Sequence, residues 1–241
     1  MDTIRVKEKG KTKMVAHRGV SGIELENTMA SFVAAGNRDY FGVETDVHAT
    51  KDGKFIIFHD DTTGRIAEED ISLEENDFSR ARSLRLLERG TEGGYSDMQR
   101  PLSLQEYLRI MRRYDKVAVI ELKNEMAHAA ISEILKICKS EYDLNKIIFI
   151  SFSYANLEYV RKQLPEQAIQ YLTGDYSKEL IERLKRDRID IDFYYPFLNE
   201  DRVKELHRNG IKINCYTCDD PVDAEKLIGW GVDMITTNIL Q

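Results

Sequence analysis

Short apolar runs recur along the chain at Met14–Ala16, Gly42–Val47, Phe55–Phe58, Val117–Leu122, Ile147–Phe152, Ile169–Leu172, Ile191–Tyr195, Ile211–Tyr216 and Val232–Thr236. Most are apolar at successive positions, which suits strands of a parallel sheet covered on both faces. Between most of them lie amphipathic stretches such as "TMASFVAAG", "SYANLEYVRKQL", "SKELIERLKRDR" and "PVDAEKLIGWG". Strands alternating with helices at this spacing predict parallel strands joined by helical crossovers. One connection is too short for a helix: "ATKDGK" alone separates the run of Asp46 from that of His59. It predicts a β-hairpin, with Gly53 available for the turn. Without that return strand eight strands remain, the count of a (β/α)8 TIM barrel. The expectation is a single domain over residues 1–241.

Residues 61–100 break the alternation. They are rich in Glu, Asp, Arg and Ser, carry "GTEGG" near their end, and read as a small insertion or cap with a short helix at "SRARSLRLLER". Elsewhere the punctuation fits helices. Ser103 and Glu106 form a capping box, Gly36 and Gly210 stand where left-handed C-caps belong, and Pro221 after Asp219–Asp220 opens a helix.

Composition narrows the partners. The chain has 241 residues, 42% hydrophobic and 32% charged, the mixture of a folded soluble domain. A net charge of −7 argues against nucleic acid, yet leaves room for a small phosphate held by one or two local cations. The leader "MDTIRVKEKGKTK" has no apolar signal core and no run approaches the length of a membrane span, so the expected location is cytoplasmic. Three cysteines are no disulfide framework. Cys215 and Cys218, three apart on a predicted strand, point to opposite faces and read as packing residues.

The chemistry gathers at strand ends, where ligands of parallel barrels bind. His17–Arg18, Glu44–Asp46, Glu121–Lys123 and the Tyr216 region all fall there. Residues two apart on a strand share a face, so Glu44 pairs with Asp46 and Glu121 with Lys123. Three converging carboxylates repel unless protons or a cation neutralise them, and all-oxygen donors suit Mg2+ or Ca2+. The hairpin folds His59 back beside Glu44, and His17 supplies a second imidazole. An Arg and a Lys to grip a phosphoryl group, a polarising cation and two imidazoles for proton transfer describe phosphodiester cleavage. His48 shares the Asp46 face, while His128 and His207 sit in helical patterns and read as surface residues.

At these residues the chain resembles the glycerophosphodiester phosphodiesterases of the phospholipase-C-like barrel superfamily. The matching words are "AHRG", "ENT", "GVETDVHATKDGKFIIFHDDTTGR", "PLSLQEYL", "IELK" and "GVDMITTN". The resemblance implies that His17 and His59 are the acid–base pair, that Glu44, Asp46 and Glu121 bind the metal, and that Arg18 and Lys123 hold the phosphate. Asn27, or Glu26 beside it, would belong to the supporting shell. The implied reaction is hydrolysis of glycerophosphodiesters to sn-glycerol 3-phosphate and an alcohol, with Ca2+ or Mg2+.

Three departures stand out: Leu25 replaces a usual Pro, Tyr216 a usual Trp, and Asn238–Ile239–Leu240 a usual Asp-x-Pro. The last two are expected where the organic part of the substrate rests, leaving the phosphate chemistry intact. Rival readings are a diester of lysophospholipid or phosphoinositide type cleaved through a cyclic phosphate, and a non-catalytic phosphate-binding module. Such a module would have lost a histidine or a metal carboxylate; none is missing.

Overall fold

In chain order the strands are β1 (Lys13–Ala16), β2 (Gly42–Ala49), β3 (Phe55–Ile57), β4 (Val117–Leu122), β5 (Ile147–Ser151), β6 (Ala168–Thr173), β7 (Asp190–Tyr194), β8 (Ile213–Tyr216) and β9 (Met234–Thr237). These come from a computed structural model that describes residues 2–89 and 93–241. Gly90, Thr91 and Glu92, part of the "GTEGG" stretch, lie outside the described residues. All strands but β3 run parallel, and β1 closes the ring by pairing with both β2 and β9. The chain is a (β/α)8 TIM barrel with one extra strand outside the ring.

The position of β3 follows from strand lengths. β1 is short and reaches only Gly42 and Val43 of β2. Beyond it β2 continues, and Val47–Ala49 pair antiparallel with β3 along the edge that β1 has left. Gly53, at φ 72°, makes the turn, a conformation most residues avoid.

The crossover helices are α1 (Met29–Gly36), α3 (Leu104–Tyr114), α4 (His128–Glu141), α5 (Tyr154–Gln163), α6 (Lys178–Asp187), α7 (Glu200–Arg208) and α8 (Pro221–Trp230), with α2 (Phe78–Ser83) in the insertion. Outward strand residues such as Val43, Ile120, Phe149 and Ile213 pack with helix residues such as Phe32, Tyr107 and Leu157 in the main core. Tyr107 also donates its buried hydroxyl to the Val43 carbonyl at 2.7 Å, which pins β2 to α3. The barrel interior has its own small core of Val15, Val119, Ile148, Ile150, Leu172 and Met234. A third cluster, around Ile66, Leu73, Leu84 and Leu86, packs the insertion onto Ile56 and Phe58.

Ser103–Glu106, Asp220–Pro221 and Gly210 (φ 77°) cap helices as expected. Gly36 does not take a left-handed conformation; it ends α1 against the Tyr114 ring, where a Cβ would lie 2.4 Å from Cγ. The helix expected over "SRARSLRLLER" stops at Ser83. Leu84 and Leu86 are both buried, so their two-residue spacing follows an extended chain, and Leu86 bridges Ala67. Cys215 and Cys218 are buried and unbonded to each other; Cys218 lies past the end of β8.

Candidate active site

The rim of the barrel is assembled from β2 outward. Glu44 and Asp46 point to one side of β2, and register places Asp46 beside Glu121 of β4. One oxygen from each of Glu44, Asp46 and Glu121 lies within 4.8 Å of the others, and all three side chains are buried. Lys123, just past β4, reaches Glu121 at 2.9 Å and Asp46 at 3.7 Å.

The turn after β1 is conformationally demanding. Arg18, Gly19 and Asn27 all have positive φ, and a Cβ at Gly19 would lie 2.4 Å from Ser31 Oγ. This tight path lets the Arg18 N–H donate to Glu44 at 2.8 Å. The Arg18 guanidinium donates to Glu26 at 3.0 Å and lies 3.5 Å from Asp46. Asn27 donates to Asp46 Oδ2 at 2.8 Å and accepts from Thr45. Glu26 and Asn27, expected as alternatives, both stand at the site.

Each imidazole is tied at Nδ1. For His17 the partner is Asn238 Oδ1, at 2.8 Å. Asn238 Nδ2 donates to Asp219 at 2.6 Å and Ser21 donates to Oδ1, which fixes the amide orientation. The His17 Nδ1 therefore carries the hydrogen, and Nε2 has a free lone pair, 4.0 Å from Glu44. For His59 the partner is Asp60, at 2.5 Å. Arg65 in turn holds Asp60 at 2.5 Å and Glu26 by two further bonds. Asn238 thus corrects one expectation: it supports an imidazole rather than the organic end of a ligand.

Burial sets the electrostatics. It pushes Glu44 well up, with help from neighbouring Asp46, and raises Glu121 to about 7. Asp46 is driven down despite burial, because Arg18 and Lys123 flank it. Burial, with Arg18 beside it, lowers His17 to about 4. His59 is also lowered by burial, with Asp46 and Asp60 opposing. Asp46 Oδ1 is buried and meets no hydrogen-bond donor among the described residues. An acceptor without a hydrogen bond among three converging carboxylates, with Lys123 near it at 3.7 Å, fits a divalent cation, and an oxygen donor set suits a hard one.

His17, Arg18, Glu44, His59 and Glu121 share a cavity of about 400 Å³. Its other wall comes from Ile150, Phe152, Leu172, Asp192, Tyr194 and Tyr216. The Tyr216 ring meets Phe152 at 6.1 Å and Tyr194 at 5.9 Å between centroids. His48 is buried and lies 3.3 Å from the His59 carbonyl, while His128 and His207 are exposed. Asn238, the Asp60–Arg65 pair and Asp192 were not singled out as site residues from the sequence. For Asp60 the signal is adjacency to His59; for Asp192 it is weaker, one of two acids in the apolar run "IDIDFYY".

Residues 17–240 match the glycerophosphoryl diester phosphodiesterase family. A glycerophosphodiester phosphodiesterase of Caldanaerobacter subterraneus subsp. tengcongensis is 30% identical over 240 residues, covering 95% of this chain and 94% of the relative. One from Bacillus altitudinis is 28% identical, with 94% of each covered. Among solved structures, a phosphodiesterase of Oleispira antarctica in complex with the product sn-glycerol-3-phosphate superposes with a TM-score of 0.85 at 24% identity, covering 94% of this chain and 92% of that one.

Proposed function

The chain belongs to the glycerophosphoryl diester phosphodiesterase family, and we propose that it hydrolyses glycerophosphodiesters to sn-glycerol 3-phosphate and an alcohol, with His17 and His59 exchanging the protons. The observation that carries this reading is the shared cavity: two imidazoles, each tied at Nδ1, open onto the place where three buried carboxylates converge.

In this reading Glu44, Asp46 and Glu121 hold a divalent cation, Mg2+ or Ca2+. When bound, it supplies positive charge that polarises a phosphoryl oxygen. Arg18 grips the phosphate through its guanidinium, which Glu26 orients from one side at 3.0 Å. Lys123 adds charge while balancing Glu121 and Asp46. His17 acts as the base: Asn238 orients it, and burial with the Arg18 charge beside it outweighs that bond and keeps the ring neutral, so Nε2 is ready to accept a proton from the nucleophile. His59 acts as the acid: the Asp60 carboxylate stabilises its imidazolium, which delivers a proton to the leaving alkoxide. Three unpaired cysteines suit a reducing compartment such as the cytosol.

A second reading draws on one feature, the exposure of Phe152 (53%) and Phe197 (56%) close to the cavity. These rings would suit an apolar alcohol such as that of a lysophospholipid. The test of both is a panel of glycerophosphodiesters and lysophospholipids with Mg2+, Ca2+ and Mn2+, followed by phosphorus NMR. The expected product from glycerophosphocholine is sn-glycerol 3-phosphate, with activity lost in chelator and restored by Mg2+ or Ca2+. Full activity in chelator would overturn the cation assignment, and a persistent cyclic phosphate would favour attack by a substrate hydroxyl.

A further inference from the structure

Among the described residues, two buried side-chain polar atoms without a hydrogen-bond partner belong to groups that line the cavity: Arg18 Nε and Asp192 Oδ1. The first faces the Asp46 carboxylate at 3.5 Å. The second lies on the opposite wall, where the mechanism above asks nothing of it. Asp192 sits on β7, inside the barrel and 1% exposed. Its other oxygen, Oδ2, accepts from Asn214 Nδ2 at 3.0 Å. Its companions on that wall are Ile150, Leu172 and the rings of Phe152, Tyr194 and Tyr216. Thr236, a buried small polar group on the cavity, already exchanges hydrogen bonds with Asn214, and Thr217 at the cavity is only half-buried. A carboxyl oxygen buried among apolar groups without a partner is costly and calls for a purpose.

We propose that Asp192 is the specificity contact for a hydroxyl on the glycerol moiety of the substrate, held through Oδ1 at the floor of the cavity. The assignment rests on the phosphodiesterase reading above and deepens it. The carboxylate triad and Arg18 hold the phosphate on one wall, which leaves the other to the organic arms of the diester, with Asp192 as the buried carboxyl group there. A hydroxyl both donates and accepts, so it satisfies Oδ1 in either protonation state of the carboxyl. Phosphodiesters without a hydroxyl would leave Oδ1 unpaired. A site built to bond a substrate hydroxyl discriminates strongly against an analogue lacking one.

The test compares glycerophosphocholine with bis(4-nitrophenyl) phosphate, which has no glycerol, on the full chain with Mg2+. Asp192→Ala is expected to lower kcat/KM for glycerophosphocholine by about 30- to 100-fold. For bis(4-nitrophenyl) phosphate the change stays within about threefold. Asn214 keeps Gln170 and Thr236 as partners in that variant. Asp192→Asn preserves shape and can donate to a hydroxyl oxygen, so it should fall by only about three- to tenfold on glycerophosphocholine. It serves as the test should the alanine variant not fold. Equal losses on both substrates would reveal a structural role and overturn the proposal, as would unchanged selectivity in both variants. A parent protein that cleaves bis(4-nitrophenyl) phosphate but no glycerophosphodiester would instead sink the substrate reading, and the Asp192 assignment with it.

Discussion

Around the cavity, β1, β2 and β4 carry His17, Arg18, Glu44, Asp46 and Glu121 to the rim, whereas β5, β7 and β8 end in Phe152, Tyr194 and Tyr216. On the first side nearly every group is held by directed bonds. Asp46 is bonded by Asn27, Glu44 by the Arg18 N–H, His17 by Asn238 and His59 by Asp60. On the second side the rings meet edge to face or tilted, and Asp192 alone adds a buried charge-bearing group. The difference follows from desolvation. A buried charge must be partnered and is thereby fixed in place, while an aromatic ring is held by contact and tolerates exchange. Fixed groups suit proton transfer and phosphate binding, where small displacements are costly. Tolerant ones suit the variable alcohol of a diester.

The largest expected effect tests the fixed side. His17→Ala and His59→Ala should each lower kcat by about two to four orders of magnitude with little change in KM, measured on glycerophosphocholine. Each removes a proton carrier and leaves the cation and phosphate contacts in place. If both variants kept near-parental turnover, the proton chemistry would have to lie elsewhere and the contrast between the walls would fail.

A smaller effect separates the two imidazoles. Asp60 is held down to about 2, because Arg65 and His59 hydrogen bonds outweigh its burial, so it is charged at any working pH. Its charge favours the His59 imidazolium. Asp60→Asn removes that charge, so the folded pKa of His59 falls further. An acid that must be protonated then loses its proton at lower pH, and the alkaline limb of the kcat/KM profile moves down. Turnover near pH 7 should fall by roughly one to two orders of magnitude. An acidic limb that moves instead would assign His59 as the base.

What the sequence made legible also divides between the walls. The strands lie within about two residues of their expected bounds, because runs apolar on both faces have few other places to go. The ionisable residues of β1, β2 and β4 were visible because a charge ending a buried strand is anomalous. Their supports were not. Asn238 lies 221 residues from His17, and only closure of β9 onto β1 brings them together. Arg65 belongs to the insertion, whose path follows from where Leu84 and Leu86 can be buried rather than from any helical period. Asp192 looks like its neighbour Asp190 in sequence, and only the barrel interior tells them apart: Asp190 accepts from the Lys212 N–H, while Asp192 is buried at the cavity wall.

The smallest effect is expected on the aromatic wall, and it sharpens the contrast most directly. Phe152 is 53% exposed and leans edge-on against Tyr216, so removing its ring opens little of the core. Phe152→Ala should therefore leave thermal stability within about 1 kcal/mol, as for other surface substitutions without a buried partner. Its ring carries no polar or ionisable atom to bind phosphate or move protons, so kcat on glycerophosphoethanolamine should stay within about threefold. The effect belongs in KM, and it should grow with the apolar or cationic bulk of the alcohol, because a ring face offers contact area and attraction to a quaternary ammonium. An increase in KM of about three- to tenfold for glycerophosphocholine, with less for glycerophosphoethanolamine, would mark this wall as the seat of the alcohol. A fall in kcat of the size seen for the histidines would show that the ring helps hold the reacting groups, and the two walls would then have to be treated as one.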